Sequence, residues 1–352
     1  ADLDAAIDAL LAETGADQID LAGHSAGGRL CHTYLSAPDR AAKVAHYAHI
    51  GSDGQTGPAG AEGEVATLNL WSEADRIIET KGDIPEATNV ALADADHYAV
   101  ATNAASFDAI YRFFNDGEAP TTTDIEPHPS RTLHGRVLSL GENLVGANVT
   151  VDIHACDPAT GFRQSETPDA SLVTDTLGYW GPFEAAEGVS YEFHVHSEDP
   201  EERPIHYYFE PFERSNPFVY LRTLPGPGSL AGELMSSLPR PDTASTVVVF
   251  SASRAMLAET DSLTLGETEL LTDESATADD TLLALFLYDA NENGETDGTP
   301  SAIFGLIPFL NGTDIHIPAG EPQSVTLTYN ERVIRMRNWS TGLDGPIVVV
   351  FR

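Results

Sequence analysis

Residues 18–30 read QIDLAGHSAGGRL, and Ser25 lies there within Gly23-His24-Ser25-Ala26-Gly27. This G-x-S-x-G spacing suits a nucleophilic hydroxyl on a strained strand-to-helix turn, with small flanking residues that let the strand and helix pass closely. A strand pattern (Ile19, Leu21) precedes the turn, and a helical stretch from Leu30 to Leu35 follows it. The backbone N–H of Ala26 then serves as one donor to an oxyanion formed beside Ser25. The bland alternative is a glycine-rich packing turn.

A serine nucleophile needs a base and a group that orients the base. The alternating segment Ala66–Trp71 runs into Ser72-Glu73-Ala74-Asp75, which puts a carboxylate just past a strand's C-terminal end. Val90–Ala93 then leads to Asp94-Ala95-Asp96-His97-Tyr98, ahead of an amphipathic helix bearing Phe107, Ile110, Tyr111 and Phe114. His97 is the expected base and Asp75 the expected orienting acid. Asp53, in Ile50-Gly51-Ser52-Asp53, also follows a strand-like run and is the alternative acid. The order Ser, Asp, His is that of the α/β-hydrolases.

The turn at Ser25, the run Ala37–His46, the Asp96-His97-Tyr98 turn and the tail Thr121–Pro127 together resemble a lipase family. In that family an α/β-hydrolase domain carries a C-terminal β-rich region. The resemblance implies hydrolysis of carboxylic esters, acyl glycerols or other lipidic esters among them. It also keeps Asp53 in contention, because the acid can follow the strand that holds His46 to Ile50.

The elements around these residues set further expectations. One helix, Asp2 to Thr14, precedes the Ser25 strand, with Leu3, Ile7, Leu10 and Leu11 on one face and Gly15 as its stop. A hydrolase sheet has more strands before its nucleophile, and at about 30 residues per strand-crossover-strand unit roughly 80–100 residues would supply them. The expectation is a longer natural chain, or a separate N-terminal fragment that completes the sheet. The expected fold class is therefore α/β, an α/β-hydrolase lacking its N-terminal strands, followed by two all-β sandwich-like domains. Its parts are a catalytic portion at 1–117, a linker at 118–129, a first β-sandwich at 130–226 and a second at 227–352.

The β regions are read from a change of period. Arg136–Leu140, Ala147–His154, Tyr191–His196 and His206–Phe209 alternate like strands, as do Thr246–Phe250, Leu283–Leu287, Val325–Thr328, Arg332–Met336 and Ile347–Phe351. Pro225-Gly226-Pro227-Gly228 marks the expected boundary between them. One loop there resembles a calcium ligand pattern, with Asp289, Asn291, Asn293, Glu295 and Asp297 offering oxygens around Gly294. Pro300 stands where a bidentate glutamate is expected, so an unliganded Asn/Asp-Gly hairpin is the other reading. His194 and His196 share a strand face, and with no third ligand evident in the sequence they read as a surface pair. Asn148, Asn311 and Asn338 match glycosylation acceptors. Cys31 and Cys156 read as buried free thiols.

Composition narrows the partners. The 352 residues carry 55 acidic and 18 basic side chains, a net charge of −37. That sign excludes phosphate-backbone binding, and no run reaches the length of a membrane span. Carboxylate excess with only two lysines, Lys43 and Lys81, matches a surface adapted to high salt, where the Debye length is about 3 Å at 1 M. The sequence therefore reads as a secreted serine ester hydrolase with no catalytic cofactor and a structural Ca2+. Its segment from Gly54 to Glu64 is too short for a large lid, which suits bulky or polymeric esters. The alternative is a non-catalytic binding or scaffolding protein built on a truncated hydrolase.

Overall fold

A computed structural model describes residues 2–199, 202–226, 228–277, 281–304, 307 and 309–352. They form two units, Ala1–Ile125 with Ser253–Ala255, and Glu126–Ala252 with Met256–Arg352. Pro227, in the expected boundary, lies outside the described residues.

The first unit opens with α1 (Asp2–Thr14), whose Leu3, Ile7 and Leu11 pack with Tyr34, Leu35 and Tyr47. Gly15, at φ 70, ends it by donating back to the Leu11 carbonyl. Next come β1 (Ile19–His24), α2 (Ala26–Leu35), α3 (Pro38–Ala41), β2 (Val44–Ile50), β3 (Ala66–Ser72), β4 (Thr88–Leu92), α4 (Ala99–Thr102) and α5 (Ala104–Phe114). The four strands pair in parallel in the order β1-β2-β3-β4. The inner strands are apolar on both faces, as parallel strands require. Tyr47 joins one buried cluster while Ala48, Ile50, Leu68 and Leu70 join another. Register aligns His24 with Ile50, Ile50 with Leu70, and Ser72 with Leu92. The C-terminal ends of all four strands thus share one edge of the sheet.

The second unit contains β5 (Thr132–Ser139), β6 (Thr150–Ala155), β7 (Ala170–Val173), β8 (Tyr179–Glu184), β9 (Tyr191–His196), β10 (Ile205–Phe209) and β11 (Asn216–Thr223). After α6 (Leu230–Ser237) follow β12 (Val247–Ser251), β13 (Leu263–Leu265), β14 (Thr268–Glu269), β15 (Ala284–Tyr288), β16 (Leu310–Asp314), β17 (Ser324–Tyr329), β18 (Arg332–Arg337) and β19 (Ile347–Phe351). Its centre is an eight-stranded sheet in the order β16-β15-β12-β19-β10-β9-β6-β7. Alternation sends Ile153, Phe193, Val195, Ile205 and Tyr207 to one face, where they meet Leu133, Val137 and Leu221 of the three-stranded sheet β11-β5-β8. Val247, Val249, Ile347 and Val349 meet Leu263, Leu327, Ile334 and Met336 of the sheet β14-β13-β17-β18. Both cysteines are buried and unpaired. Among the described residues, no helix is long and apolar enough to cross a membrane.

The expected fold class is corrected by this architecture. The chain is mostly β, 33% strand against 14% helix in four sheets, and a helix-rich hydrolase-like core is absent among the described residues. One reason is local: α3 and α4 have only four residues each, so loops make most of the connections in the first unit. The other is long-range. The C-terminal strand β19 pairs in parallel with both β10 and β12, so strands on either side of Pro225–Gly228 belong to one sheet, not to two sandwiches.

Candidate active site

Ser25 follows β1 directly and has φ 56 and ψ −127, a conformation that side-chain-bearing residues seldom adopt. The surrounding bonds hold it there. Its N–H donates to the Ile50 carbonyl at 3.0 Å, and its own carbonyl accepts from the Ser52 hydroxyl at 2.7 Å. The close approaches belong to Gly23 and Gly28. A Cβ on Gly23 would lie 2.6 Å from the Gly27 carbonyl oxygen, and one on Gly28 would lie 2.7 Å from Ser52, whereas Gly27 has open space. Ala26 begins α2, so its N–H has no intrahelical acceptor and remains available to an oxyanion.

Asp75 lies in the loop after β3 and is 1% exposed. Its Oδ1 accepts from the N–H groups of Ile77 and Ile78 at 2.8 and 3.1 Å, and its Oδ2 faces His97 Nδ1 at 2.8 Å. Burial pushes this carboxyl up. The His97 hydrogen bond, the two backbone donors and the attraction of His97 outweigh that and hold it below its ordinary value. A carboxylate at Nδ1 fixes the proton on that nitrogen, which leaves the Nε2 lone pair toward Ser25 Oγ at 2.9 Å. His97 itself is buried. The loop that carries it is shaped by Asp96, whose Oδ1 accepts from the N–H groups of Tyr98 and Ala99 at the start of α4.

The three side chains come from the ends of β1, β3 and β4, which parallel pairing sets on a single edge. Asp53 is elsewhere. Its carboxylate pairs with Arg29, and its carbonyl accepts from His49 Nε2 at 2.9 Å. Three supporting residues carry no catalytic signal in the sequence. His24 Nε2 donates to the His97 carbonyl at 2.7 Å with the two rings 4.7 Å apart, and burial pushes its pKa down. Lys81 Nζ donates to the carbonyls of Asp75 and Ile78, tying the acid's loop. Ser52 braces the turn at Ser25. Only Asp96 was open to local reading, as an acidic residue just before a short helix.

In the calcium-like loop, the oxygens engage the loop's own backbone. Asp289 accepts from the N–H groups of Asn293 and Gly294, Asn291 Oδ1 from Asn293, Asn293 Oδ1 from Glu295, and Asp297 Oδ1 from Thr299. Asp289 Oδ2 also faces His316 Nδ1 at 3.1 Å, and Asn291 Nδ2 donates to Asp314 Oδ2 at 2.8 Å. On β9, His194 and His196 are half-buried, not a freely exposed pair, and Asp152 on β6 joins them. Asn338, one of the three glycosylation matches, is buried with its amide donating to the carbonyls of Pro318 and Glu321, so no sugar can reach it.

Comparison with known proteins bears on the second unit. Residues 130–224 match the family model of the lipase C-terminal domain. Residues 245–346 match a second family model, described as a "-like, C-terminal domain". No curated protein matches the chain. One solved structure, chlorocatechol 1,2-dioxygenase from Pseudomonas putida, is 14% identical over 29% of this chain and 63% of that chain, with a TM-score of 0.19. A likeness that slight carries no argument about architecture or chemistry. The relationship the comparisons give is to lipases, through the β domain at residues 130–224.

Proposed function

We propose that the chain is part of a serine carboxylic-ester hydrolase of lipase or esterase type, with Ser25, His97 and Asp75 as its catalytic residues. The observation that carries this reading is the continuous hydrogen-bonded line from Asp75 Oδ2 through His97 to Ser25 Oγ, with steps of 2.8 and 2.9 Å. The lipase-related domain at 130–224 supports it independently. In the reaction, His97 Nε2 takes the Ser25 hydroxyl proton as Oγ bonds to the ester carbonyl carbon. The carbonyl π electrons move to oxygen, and the Ala26 N–H donates to the oxyanion. Collapse breaks the carbon–alkoxy bond, and Nε2 returns its proton to the leaving alcohol. A water then hydrolyses the acyl–Ser25 ester by the same proton path. Asp75 stays ionised throughout, orienting His97 and offsetting its charge. Lipidic esters are the substrate class favoured by the lipase-related domain at 130–224.

A fluorophosphonate probe tests the assignment on the full natural protein, since an activated serine attacks phosphorus as it does a carbonyl carbon. Peptide mapping is expected to find the label on Ser25. Label on another residue, or esterase-active protein that takes no label, overturns it.

A further inference from the structure

We propose that Asp152, His194 and His196 form a binding site for one first-row divalent transition cation, of which zinc is the representative. Antiparallel pairing of β6 with β9 sets Asp152 directly opposite His194, and His196 lies two residues further along the same face. One ligand atom from each of the three lies within 4.8 Å of the other two. Bonds of about 2.0–2.1 Å to a tetrahedral ion need donors roughly 3.3 Å apart, so small side-chain rotations close the site. His196 Nε2 already faces Asp152 Oδ2 at 3.0 Å.

The donors are two imidazoles and one carboxylate. Two imidazoles favour zinc, copper or nickel over calcium or magnesium, and three protein ligands leave a fourth position for water or an anionic ligand.

His194 sits at the middle of the cluster and is half-buried. Its ring is held in place. It stacks on His196 at 4.8 Å and on His206 at 4.7 Å, and His206 stacks in turn on Trp339 at 4.3 Å. His206 is pinned by Glu192 Oε1 at 2.7 Å and the Asp344 carbonyl at 3.0 Å. Stacking on both sides thus fixes the plane of the His194 ring. A bound ion would tie β6 to β9.

The test is zinc titration of the chelator-stripped full chain by calorimetry, with excess calcium present to fill oxygen-only sites. One zinc per chain is expected, and His194→Gln and His196→Gln are each expected to weaken it by about tenfold or more. A His194→Gln/His196→Gln variant that keeps wild-type affinity overturns the site, as does wild-type protein that takes up no zinc. Cobalt-loaded wild-type protein gives a readout that needs no variant to fold. Four-coordinate visible bands and two hyperfine-shifted imidazole N–H resonances are expected, and spectra with no such histidine signals reject the proposal.

Discussion

Each unit buries one carboxylate–histidine pair, and the two pairs differ in what faces the second ring nitrogen. In the first unit Asp75 holds His97 Nδ1, and Nε2 faces the Ser25 hydroxyl. In the second, Glu192 holds His206 Nδ1 at 2.7 Å, and Nε2 faces the Asp344 carbonyl at 3.0 Å. A hydroxyl can give up a proton, whereas a carbonyl only accepts a hydrogen bond. The Nε2 of His206 thus meets only an acceptor, while that of His97 meets a hydroxyl. Glu192 is further engaged by Arg163 at 2.6 and 3.1 Å and by the Tyr208 hydroxyl at 2.9 Å. The same two residue types build the proposed base in one unit and a hydrogen-bonded network in the other. The third partner decides which.

The sharpest way to break that contrast is to remove each carboxylate. Asp75→Asn is expected to lower ester hydrolysis by about four orders of magnitude, because His97 then loses its tautomer control. Asp53→Asn is expected to stay within a few-fold of the parent, since its carboxylate pairs with Arg29. Steady-state kinetics of the two variants decide the matter, and an inactive Asp53→Asn beside an active Asp75→Asn reverses the acid assignment.

Glu192→Gln is expected to act on stability instead. It removes the buried counter-charge of the half-buried Arg163, where breaking a fully buried pair costs about 3–5 kcal/mol as an upper bound. Burial pushes the Glu192 carboxyl up, but His206 and Arg163 outweigh this and hold it well below the usual carboxylate range. Its folded-state pKa is depressed, so its contribution is present above about pH 4.3, the unfolded value, and is lost as pH falls through the folded value. Denaturant midpoints of parent and variant should therefore converge in acid. A gap that stays constant down to acid unfolding contradicts the ionised network.

A third pair, His316 with Asp289 at 3.1 Å, lies in the proposed calcium loop and sharpens the comparison further. If calcium takes the Asp289 oxygens, chelation should lower the melting temperature and calcium, not zinc, should restore it. The one-site expression gives about 2.7 kcal/mol at a calcium concentration of 100 Kd. Asp289→Ala should abolish the response, and a variant that still responds moves the site elsewhere.

The smallest effect per residue belongs to the surface. Buried pairs are poorly screened by salt, whereas 55 carboxylates against 18 basic groups repel one another across about 30 Å at 0.01 M. Melting temperature is expected to climb from about 0.05 M to above about 1 M sodium chloride. A flat or falling curve would remove the high-salt reading of the composition.

Local pattern carried much of this molecule. The period of Leu3, Ile7 and Leu11 with Gly15 behind it specifies a helix, and a helix spans Asp2–Thr14. The alternation in Tyr191–His196 and Ile347–Phe351 specifies strands, and strands occupy both. Such signals are legible because each arises from residues within one or two turns of one another. The G-x-S-x-G spacing is legible for the same reason, since the turn's sterics are set within five residues.

Pairing between distant strands is different, because alternation tells which residues face a core but not which strand lies alongside. Hence the sequence alone fixed neither β19 between β10 and β12 nor the single sheet that replaces two sandwiches. The same limit governs the sites. Nothing in the spacing of Asp53 and Asp75 tells which carboxylate reaches His97; parallel register and the pairing of Asp53 with Arg29 decide it. Asp152 carries no sign of His194 and His196, which lie more than forty positions away and meet it only because β6 and β9 share a register. Composition, helices, strands and the turn at Ser25 were written in neighbouring residues. Which histidine faces a hydroxyl, which a carbonyl and which other rings was decided by contacts between distant ones, where burial and hydrogen-bond partners are set.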